Sequence, residues 1–325
     1  MIFLISKSYD CYFNLALEEN FLREYDDEIF MLWQNDNTIV IGKNQNTLAE
    51  INYDYVKEKG IRVVRRITGG GAVYHDMGNI NFTYITRQDG EWENDFSRFA
   101  KPVVSALKKI GLDAEISGRN DIVVNGRKIS GNAQTVAGGR ILHHGTLLFN
   151  TDVSVLSNAL VPDPEKIRSK GIKSVSSRVV NINELLGREV TAEEISDLVG
   201  SEVKTLYGAK EYVLSDEEIK RAEKLADEKY RTWEWNFGYS PKYSFSKKKR
   251  FRIGSINAYL TVEDGKIVSA KLYGDFFGIS DVSDIETALC GTLHREENIK
   301  NTLDKFKLSD YFGNITAEEL AQVLV

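Results

Sequence analysis

The sequence predicts an α+β protein of two domains, and three observations carry that reading. A β-hairpin is written plainly into residues 121–130, and short β-rich runs alternate with a few amphipathic helices up to residue 245. The tail, residues 246–325, puts strands first and helices after. A chain of 325 residues is long enough for two cores. The division is expected between a domain of residues 1–245 and one of residues 246–325.

Each element has its own signal. From Asp10 to Leu22, Phe13, Leu17 and Phe21 lie four apart, which gives an amphipathic helix. Ile29 to Trp33 and Thr38 to Ile41 read as strands on either side of a polar turn around Asn35. Ile61 to Val64 is a strand that delivers Arg65 and Arg66 into three consecutive glycines, and Asn79 to Ile85 is the strand leaving that loop. Ser97 to Ile110 is helical, with Pro102 in its first turn or at a kink and Gly111 as its stop.

In the run Asp121-Ile-Val-Val-Asn-Gly-Arg-Lys-Ile-Ser130, Asn125-Gly126 fits a type I′ turn. A two-residue loop sets Val124 opposite Arg127, Val123 opposite Lys128 and Asp121 opposite Ser130. Alternation then places Asp121, Val123, Lys128 and Ser130 on one face, with Lys128 and Asp121 as diagonal neighbours about 7–8 Å apart. Ile141 to Asn150 continues the sheet after a Gly138-Gly139 turn. Thr191 with Glu194, Ser215 with Glu218 and Thr316 with Glu319 are capping boxes that open helices. The basic run from Lys247 to Arg250 follows a stretch of aromatic and turn residues and marks the boundary. A hairpin around Glu263-Asp-Gly and then helices complete the tail.

Composition narrows the function. A net charge of −6 argues against nonspecific nucleic-acid binding, which needs a broad basic surface. Cys11 and Cys290 lie far apart with no metal-ligand spacing, which fits reduced thiols in the cytoplasm. No signal peptide and no run of about 20 apolar residues is apparent, so neither secretion nor a membrane span is expected.

The segment from Arg65 to Asp76, Arg-Arg-Ile-Thr-Gly-Gly-Gly-Ala-Val-Tyr-His-Asp, says most about chemistry. Two guanidinium groups precede a triple glycine that leaves backbone N–H groups bare, a combination suited to an anionic ligand. It matches neither the P-loop nor the dinucleotide fingerprint. Lys128 on its rigid hairpin, with Asp121 on the same face, supplies a second charged group.

These segments resemble the lipoate–protein ligase family. The resemblance rests on Ser8-Tyr-Asp, Asn14-Leu-Ala-Leu-Glu-Glu, Val40-Ile-Gly, Arg65 to Asp76 and Ser117-Gly-Arg-Asn-Asp121. It continues through Arg127-Lys-Ile-Ser-Gly131, His143-His-Gly-Thr-Leu-Leu148, Lys173-Ser-Val-Ser-Ser-Arg178 and Trp233-Glu-Trp-Asn-Phe-Gly238. It implies a mostly antiparallel sheet flanked by helices, like biotin ligases and related to class II synthetase cores, plus a small C-terminal domain.

The family's activity implies that ATP is a cosubstrate, that Mg²⁺ accompanies it, and that no cofactor is permanently bound. Lipoate would be activated to lipoyl-AMP and passed to a lysine of lipoyl-domain acceptors. Those acceptors would be the glycine-cleavage H protein or acyltransferase subunits of 2-oxoacid dehydrogenases.

By the same resemblance Arg66 contacts ATP, Gly71, Ala72, Val73 and Tyr74 line the nucleotide, and Thr68 and Gly70 lie beside the lipoyl tail. Lys128 would touch both the acyl carboxylate and the phosphate. Asn120 and Asp121 would sit where phosphate, metal and acceptor meet, with Asp121 as the Mg²⁺ carboxylate and as base. Leu17 is a candidate wall of the acyl tunnel. His143 and His144 alternate on a strand and face opposite sides, so one lines the pocket or both are core; His144 is assigned to lipoate.

Joining two anions requires positive charge aimed at the meeting point. An acceptor lysine of pKa near 10.4 costs about 4–5 kcal/mol to deprotonate at pH 7, which a positioned carboxylate offsets in part. The rival readings are an ATP-independent acyltransferase with a cysteine nucleophile, a non-catalytic lipoate binder and, more remotely, a biotin ligase. The choice between lipoate and octanoate stays open.

Overall fold

The computed structural model describes residues 1–88, 96–117, 120–161, 179–238, 243–274, 276 and 280–325. Gly118, Arg119 and the segment from Lys173 to Arg178 lie outside the described residues. The chain forms two compact units, residues 1–43 with 54–232 and residues 44–53 with 233–325. The division expected after residue 245 falls inside a strand of the second unit, Tyr243–Phe251.

The first unit contains strands β1 (Ile2–Ile5), β2 (Ile29–Trp33), β3 (Thr38–Ile41), β4 (Arg62–Arg65), β5 (Val73–His75) and β6 (Asn79–Arg87). They continue with β7 (Ala114–Ser117), β8 (Asp121–Val124), β9 (Arg127–Ala137), β10 (Arg140–Leu148) and β11 (Lys210–Glu211). The main sheet has the order β11-β1-β2-β6-β10-β9-β8-β7. β1 runs parallel to both neighbours, and the other pairs are antiparallel. The strands on either side of Asn35 part company. β2 enters the main sheet, while β3 is the centre of a second sheet, β4-β3-β5. Asn37, at φ 36°, provides the left-handed turn between them.

Phe30, Phe82, Tyr84 and Phe99 centre the core that joins the main sheet to the helices Phe96–Lys109 and Ala192–Tyr207. Pro102 lies inside the first of these helices rather than in its opening turn. The helix Cys11–Glu24 starts where Asp10 accepts from the Tyr12 N–H. It is buried from Phe13 to Leu22, Asn14, Glu18, Glu19 and Asn20 included. Its one-sided apolar spacing therefore understated its burial.

The hairpin turn is type I′, with Asn125 at φ 52° and Gly126 at φ 74°. Its register departs from expectation beyond the first two pairs. A bulge between Ile122 and Val123 sets Ile122 opposite Ser130 and Asp121 opposite Gly131. Ser130 is consequently buried, rather than sharing a face with Lys128. Ser215 with Glu218 and Thr316 with Glu319 form complete capping boxes. Thr191 accepts from the Glu194 N–H, but the Glu194 carboxylate turns to Arg188, so that box is half made.

The second unit is a three-stranded antiparallel sheet of β12 (Tyr243–Phe251), β13 (Gly254–Glu263) and β14 (Lys266–Gly274). Helices Ser283–Leu289, Glu296–Leu303, Ser309–Phe312 and Ala317–Ala321 cover its apolar face. The basic run is part of β12 and no linker. Lys248 and Arg250 are exposed, while the half-buried Lys247 and Lys249 donate to the Val325 carbonyl and to Gln322.

One fold contact makes stability depend on pH. Glu218 accepts from the hydroxyls of Tyr25, Tyr212 and Ser215 and from the Ser215 N–H. Burial by itself would raise its pKa, but these hydrogen bonds override it and pull the group from 4.5 down to about 2. A carboxylate held lower in the folded chain contributes stability above its unfolded pKa, and that stability fades as pH falls toward the folded one. Glu218→Gln is expected to cost up to about 3 kcal/mol near pH 7 and to flatten the loss on acidification. Urea denaturation between about pH 7 and pH 3 reads both effects.

Candidate active site

β4 ends at Arg65, and the chain passes through the triple glycine before β5 begins at Val73. Both arginines are buried, at 0% and 5% exposure, so neither is a free clamp. Arg65 donates through Nη1 to the carbonyls of Gly42 (3.1 Å) and Lys43 (3.0 Å). Arg66 donates through Nε to Thr68 Oγ1 (2.8 Å) and through Nη1 to the Val40 carbonyl (3.2 Å). Its Nη2 donates to the carbonyls of Gly69 (2.6 Å) and Gly71 (2.9 Å). The glycine loop is therefore folded around one guanidinium. Gly70 sits at φ 93°, and a Cβ there would lie 2.9 Å from Arg66 Nη2, so both backbone and space demand glycine. Burial lowers the Arg66 pKa to about 10 while Glu18 pulls the other way, which leaves the side chain a cation at neutral pH.

Arg66 heads a chain of hydrogen bonds with one direction. Its Nε–H donates to Thr68 Oγ1, which lies 2.8 Å from His144 Nε2. His144 Nδ1 lies 3.0 Å from a carboxylate oxygen of Glu18, which is 1% exposed. A carboxylate only accepts, so Nδ1 carries the proton and Nε2 accepts from Thr68. A second chain reaches the same carboxylate: Trp33 Nε1–H donates to Thr83 Oγ1 at 2.8 Å, and the Thr83 hydroxyl donates to Glu18. Glu18 is the shared terminus.

The hairpin supplies the opposite wall. Lys128 Nζ stands 2.6 Å from Asp121 Oδ1, both about one-third exposed. Asp121 remains the diagonal neighbour of Lys128, and the absence of a Cβ at Gly131, which would lie 2.9 Å from Lys128 Nζ, leaves room for the side chain. Asn120 Nδ2 donates to the Asn132 carbonyl at 2.7 Å, and Asn132 Nδ2 donates back to the Asn120 carbonyl at 3.0 Å. Asn132 Oδ1 lies 3.2 Å from Nε2 of His143, a fully buried ring stacked on Phe99. Burial, with His144 nearby, pushes the His143 pKa down to about 3, so it is a neutral core histidine that orients Asn132.

Between these walls is a cavity of about 170 Å³, room for a slender ligand. Of the sequence-derived residues, Arg66, Gly70, Gly71, Ala72, Val73, Asn120, Lys128 and His144 line it. Four others stand outside the wall. Thr68 lies behind it, bonded to Arg66 and His144, and Tyr74 points away to Asn37. Asp121 meets the site through Lys128, and Leu17 is buried elsewhere while Leu15 takes the wall position. A helix buried on nearly all sides gives no sequence cue to which leucine faces a cavity. Trp33, His75, Asn81, Asn132 and Thr146 also line it and were missed. Period-two alternation from Val73 would have found His75. The others depend on strand pairing. Among the described residues, no group of three His, Cys, Asp or Glu is placed to hold a metal.

This fold, with a guanidinium-braced glycine loop facing a hairpin lysine, is that of an acyl-ligase catalytic domain. Residues 10–204 match the lipoyl protein ligase A/B catalytic domain, and residues 240–324 match the bacterial lipoate protein ligase C-terminus. The chain belongs to the lipoyl protein ligase A/B family. It is 46% identical over 316 residues to lipoate–protein ligase 1 of Staphylococcus aureus Mu50, covering 96% of this chain and 95% of that one. Identity to the lipoate-protein ligase LplJ of Bacillus subtilis 168 is also 46%, over 96% of each chain.

Solved structures agree. Plasmodium falciparum LipL1 in complex with lipoate is 28% identical, with TM-score 0.64 and 94% of each chain covered. A bipartite lipoate protein ligase studied with its E2 lipoyl domain from Thermoplasma acidophilum is 32% identical, with TM-score 0.66 over 73% of this chain and 96% of that one. Lipoate-protein ligase A bound with ATP is 29% identical, with TM-score 0.63 over 73% and 98%.

The convergence on Glu18 has a measurable consequence. Glu18→Gln removes the charge facing Arg66 and leaves one amide oxygen for two donors. It is expected to lower stability by about 1–3 kcal/mol in urea denaturation. It is also expected to shift the His144 proton toward Nε2, read from imidazole ¹⁵N shifts.

Proposed function

We propose that this chain activates lipoate with ATP and transfers the lipoyl group to a lysine of a lipoyl-domain protein. Family membership and relatives solved with lipoate and with ATP support this reading. One observation of the chain itself carries it: a cavity with apolar walls at Leu15, Trp33 and Val40 opens beside Lys128 and faces a bare glycine loop. A slender acyl chain suits the apolar part, and its carboxylate then reaches the lysine.

In the first step a lipoate carboxylate oxygen attacks the α-phosphorus of ATP, and pyrophosphate leaves. Lys128 is the cation for both the carboxylate and the phosphate. Arg66 acts chiefly by holding the loop, so that Gly71, Ala72, Val73 and Tyr74 present backbone to the nucleotide. Asn120 is proposed at the phosphate edge. Gly70 and His144 border the acyl chain, Thr68 holds His144 from behind, and Leu15 takes the place first assigned to Leu17. In the second step the acceptor amine attacks the acyl carbonyl, AMP leaves, and Asp121 takes the amine proton. The first unit is the catalytic domain and the second an accessory one.

Mg²⁺ is proposed to arrive with ATP; Asp121 would hold it, as such ions use one or two carboxylates and keep much of their water, and it would offset phosphate charge. Octanoate is proposed as a second substrate, the acceptors as H protein and dehydrogenase acyltransferase domains, and the compartment as the cytoplasm. No helix among the described residues is long and apolar enough to cross a membrane.

The cysteine-dependent transferase is disfavoured by Cys11. That thiol is buried, pushed up to about 12 by burial, and lies outside the cavity wall; Cys290 belongs to the other unit.

Lys128→Ala is expected to slow lipoate-dependent pyrophosphate release by about 100-fold or more. Asp121→Asn is expected to retain most of that release while slowing transfer to an acceptor domain by roughly 100-fold. Undiminished release by the first variant, or normal transfer by the second, removes the assigned role. Transfer without ATP consumption would sink the ligase reading as a whole.

A further inference from the structure

Thr146 lines the cavity on the same strand as His144. It follows that histidine by two positions on β10 and so projects from the same face of the sheet. His144 is buried, whereas Thr146 is half-buried and keeps surface of its own.

A change of strand partner fixes its geometry. β9 pairs with β8 up to Gly131 and with β10 from Asn132, which stands opposite Gly145. At that junction the Gly131 N–H is met by a side chain, donating to Thr146 Oγ1 at 3.1 Å. The hydroxyl oxygen is thereby held as an acceptor, and its own proton must point elsewhere. The acceptor it meets among the described residues is the Gly131 carbonyl at 3.5 Å, long against the roughly 2.5–3.0 Å of an O–H···O bond. That proton is therefore open to a better acceptor in the cavity.

Lys128 borders the same glycine. A Cβ on Gly131 would lie 2.9 Å from Lys128 Nζ, so the missing side chain leaves a space with the ammonium beside it. Hydroxyl and ammonium thus flank one residue of the cavity wall. The neighbouring amide is already engaged: Asn132 Nδ2 donates to the Asn120 carbonyl at 3.0 Å and to Ser130 at 3.3 Å.

Resting on the ligase reading above, we propose that the Thr146 hydroxyl donates to the acyl oxygen of lipoate, beside Lys128. In the first step it holds the carboxylate oxygen that does not attack. In the second, the acceptor amine bonds to the acyl carbon, the bond from that carbon to the phosphate oxygen breaks, and AMP leaves with the electron pair. The acyl oxygen carries negative charge in between, and Thr146 stabilises it while keeping its own proton. A donor held in place by Gly131 needs no reorganisation when that charge appears. Thr146 is then a catalytic residue as well as a support for Gly131.

The test loads each full-length protein with lipoyl-AMP carrying ¹³C at the acyl carbonyl, and an acceptor domain is then added. Thr146→Val keeps the shape and loses the hydroxyl; it is expected to slow transfer about 100-fold, with Thr146→Ser within about three-fold of wild type. Before the acceptor is added, the infrared carbonyl band of the bound intermediate is expected at lower frequency in wild type and Thr146→Ser than in Thr146→Val. A purely supporting threonine would leave that band unmoved. Transfer by Thr146→Val at the wild-type rate, a serine variant as slow as the valine one, or one band position shared by all three overturns the proposal. Should Thr146→Val fail to fold, Thr146→Ala takes its place in both measurements. Failure of the wild type to make lipoyl-AMP from lipoate and ATP defeats the ligase reading instead, and the proposal with it.

Discussion

A guanidinium buried at Arg66 cannot be left without partners, and much of the site's architecture follows from meeting that demand. Removing such a cation from water is tolerable only if oxygen atoms surround it and an opposite charge stands near. The carbonyls of Val40, Gly69 and Gly71 and the hydroxyl of Thr68 provide the first. Glu18, three hydrogen bonds away through Thr68 and His144, provides the second. The loop's shape is thus the shape that turns the Gly69 and Gly71 carbonyls toward the guanidinium. Glycine at residue 70 is the steric condition for this, since the guanidinium occupies the space of a side chain.

The opposite wall obeys a different constraint. Here the groups are short of room rather than of partners. Asp121 and Lys128 start on antiparallel strands, and the missing side chain of Gly131 leaves room for the lysine to reach the carboxylate. Behind them Asn132 is fixed by Asn120, Ser130 and His143. A Cβ on Gly145 would lie 2.2 Å from Asn132 Oδ1, so the neighbouring strand must also yield space. The rigid wall carries the accessible charge, and the loop wall carries the buried one. That asymmetry suits a reaction joining two anions, because a movable ammonium beside a carboxylate can follow charge from ground state to transition state while the loop stays fixed.

The helix Cys11–Glu24 reaches the cavity wall at Leu15. Its polar residues Asn14 and Glu18 fix the orientation of Asn35 and the tautomer of His144 through hydrogen bonds alone. The helix therefore sets proton positions in the cavity wall. Its near-complete burial is what gives those bonds their strength, since water does not compete for them.

The sequence by itself determined the type I′ turn, the glycine loop, the family and most of the longer strands, though not β1, β5, β7, β11 or β12, because these rest on local rules. Period-two and turn chemistry act over a few residues, and motif order along the chain is independent of folding. It also brought Lys128 and Asp121 together by diagonal spacing. Only the tertiary structure decided what the arginines do, since whether a guanidinium meets a ligand or its own loop depends on carbonyls from β3 and residues 69–71. The bulge that moved Ser130 into the core, the choice of Leu15 over Leu17, and the roles of Trp33, Asn81 and Asn132 were likewise invisible. Each depends on strand register and on burial of a helix on several sides at once, and these are set by contacts between residues tens of positions apart.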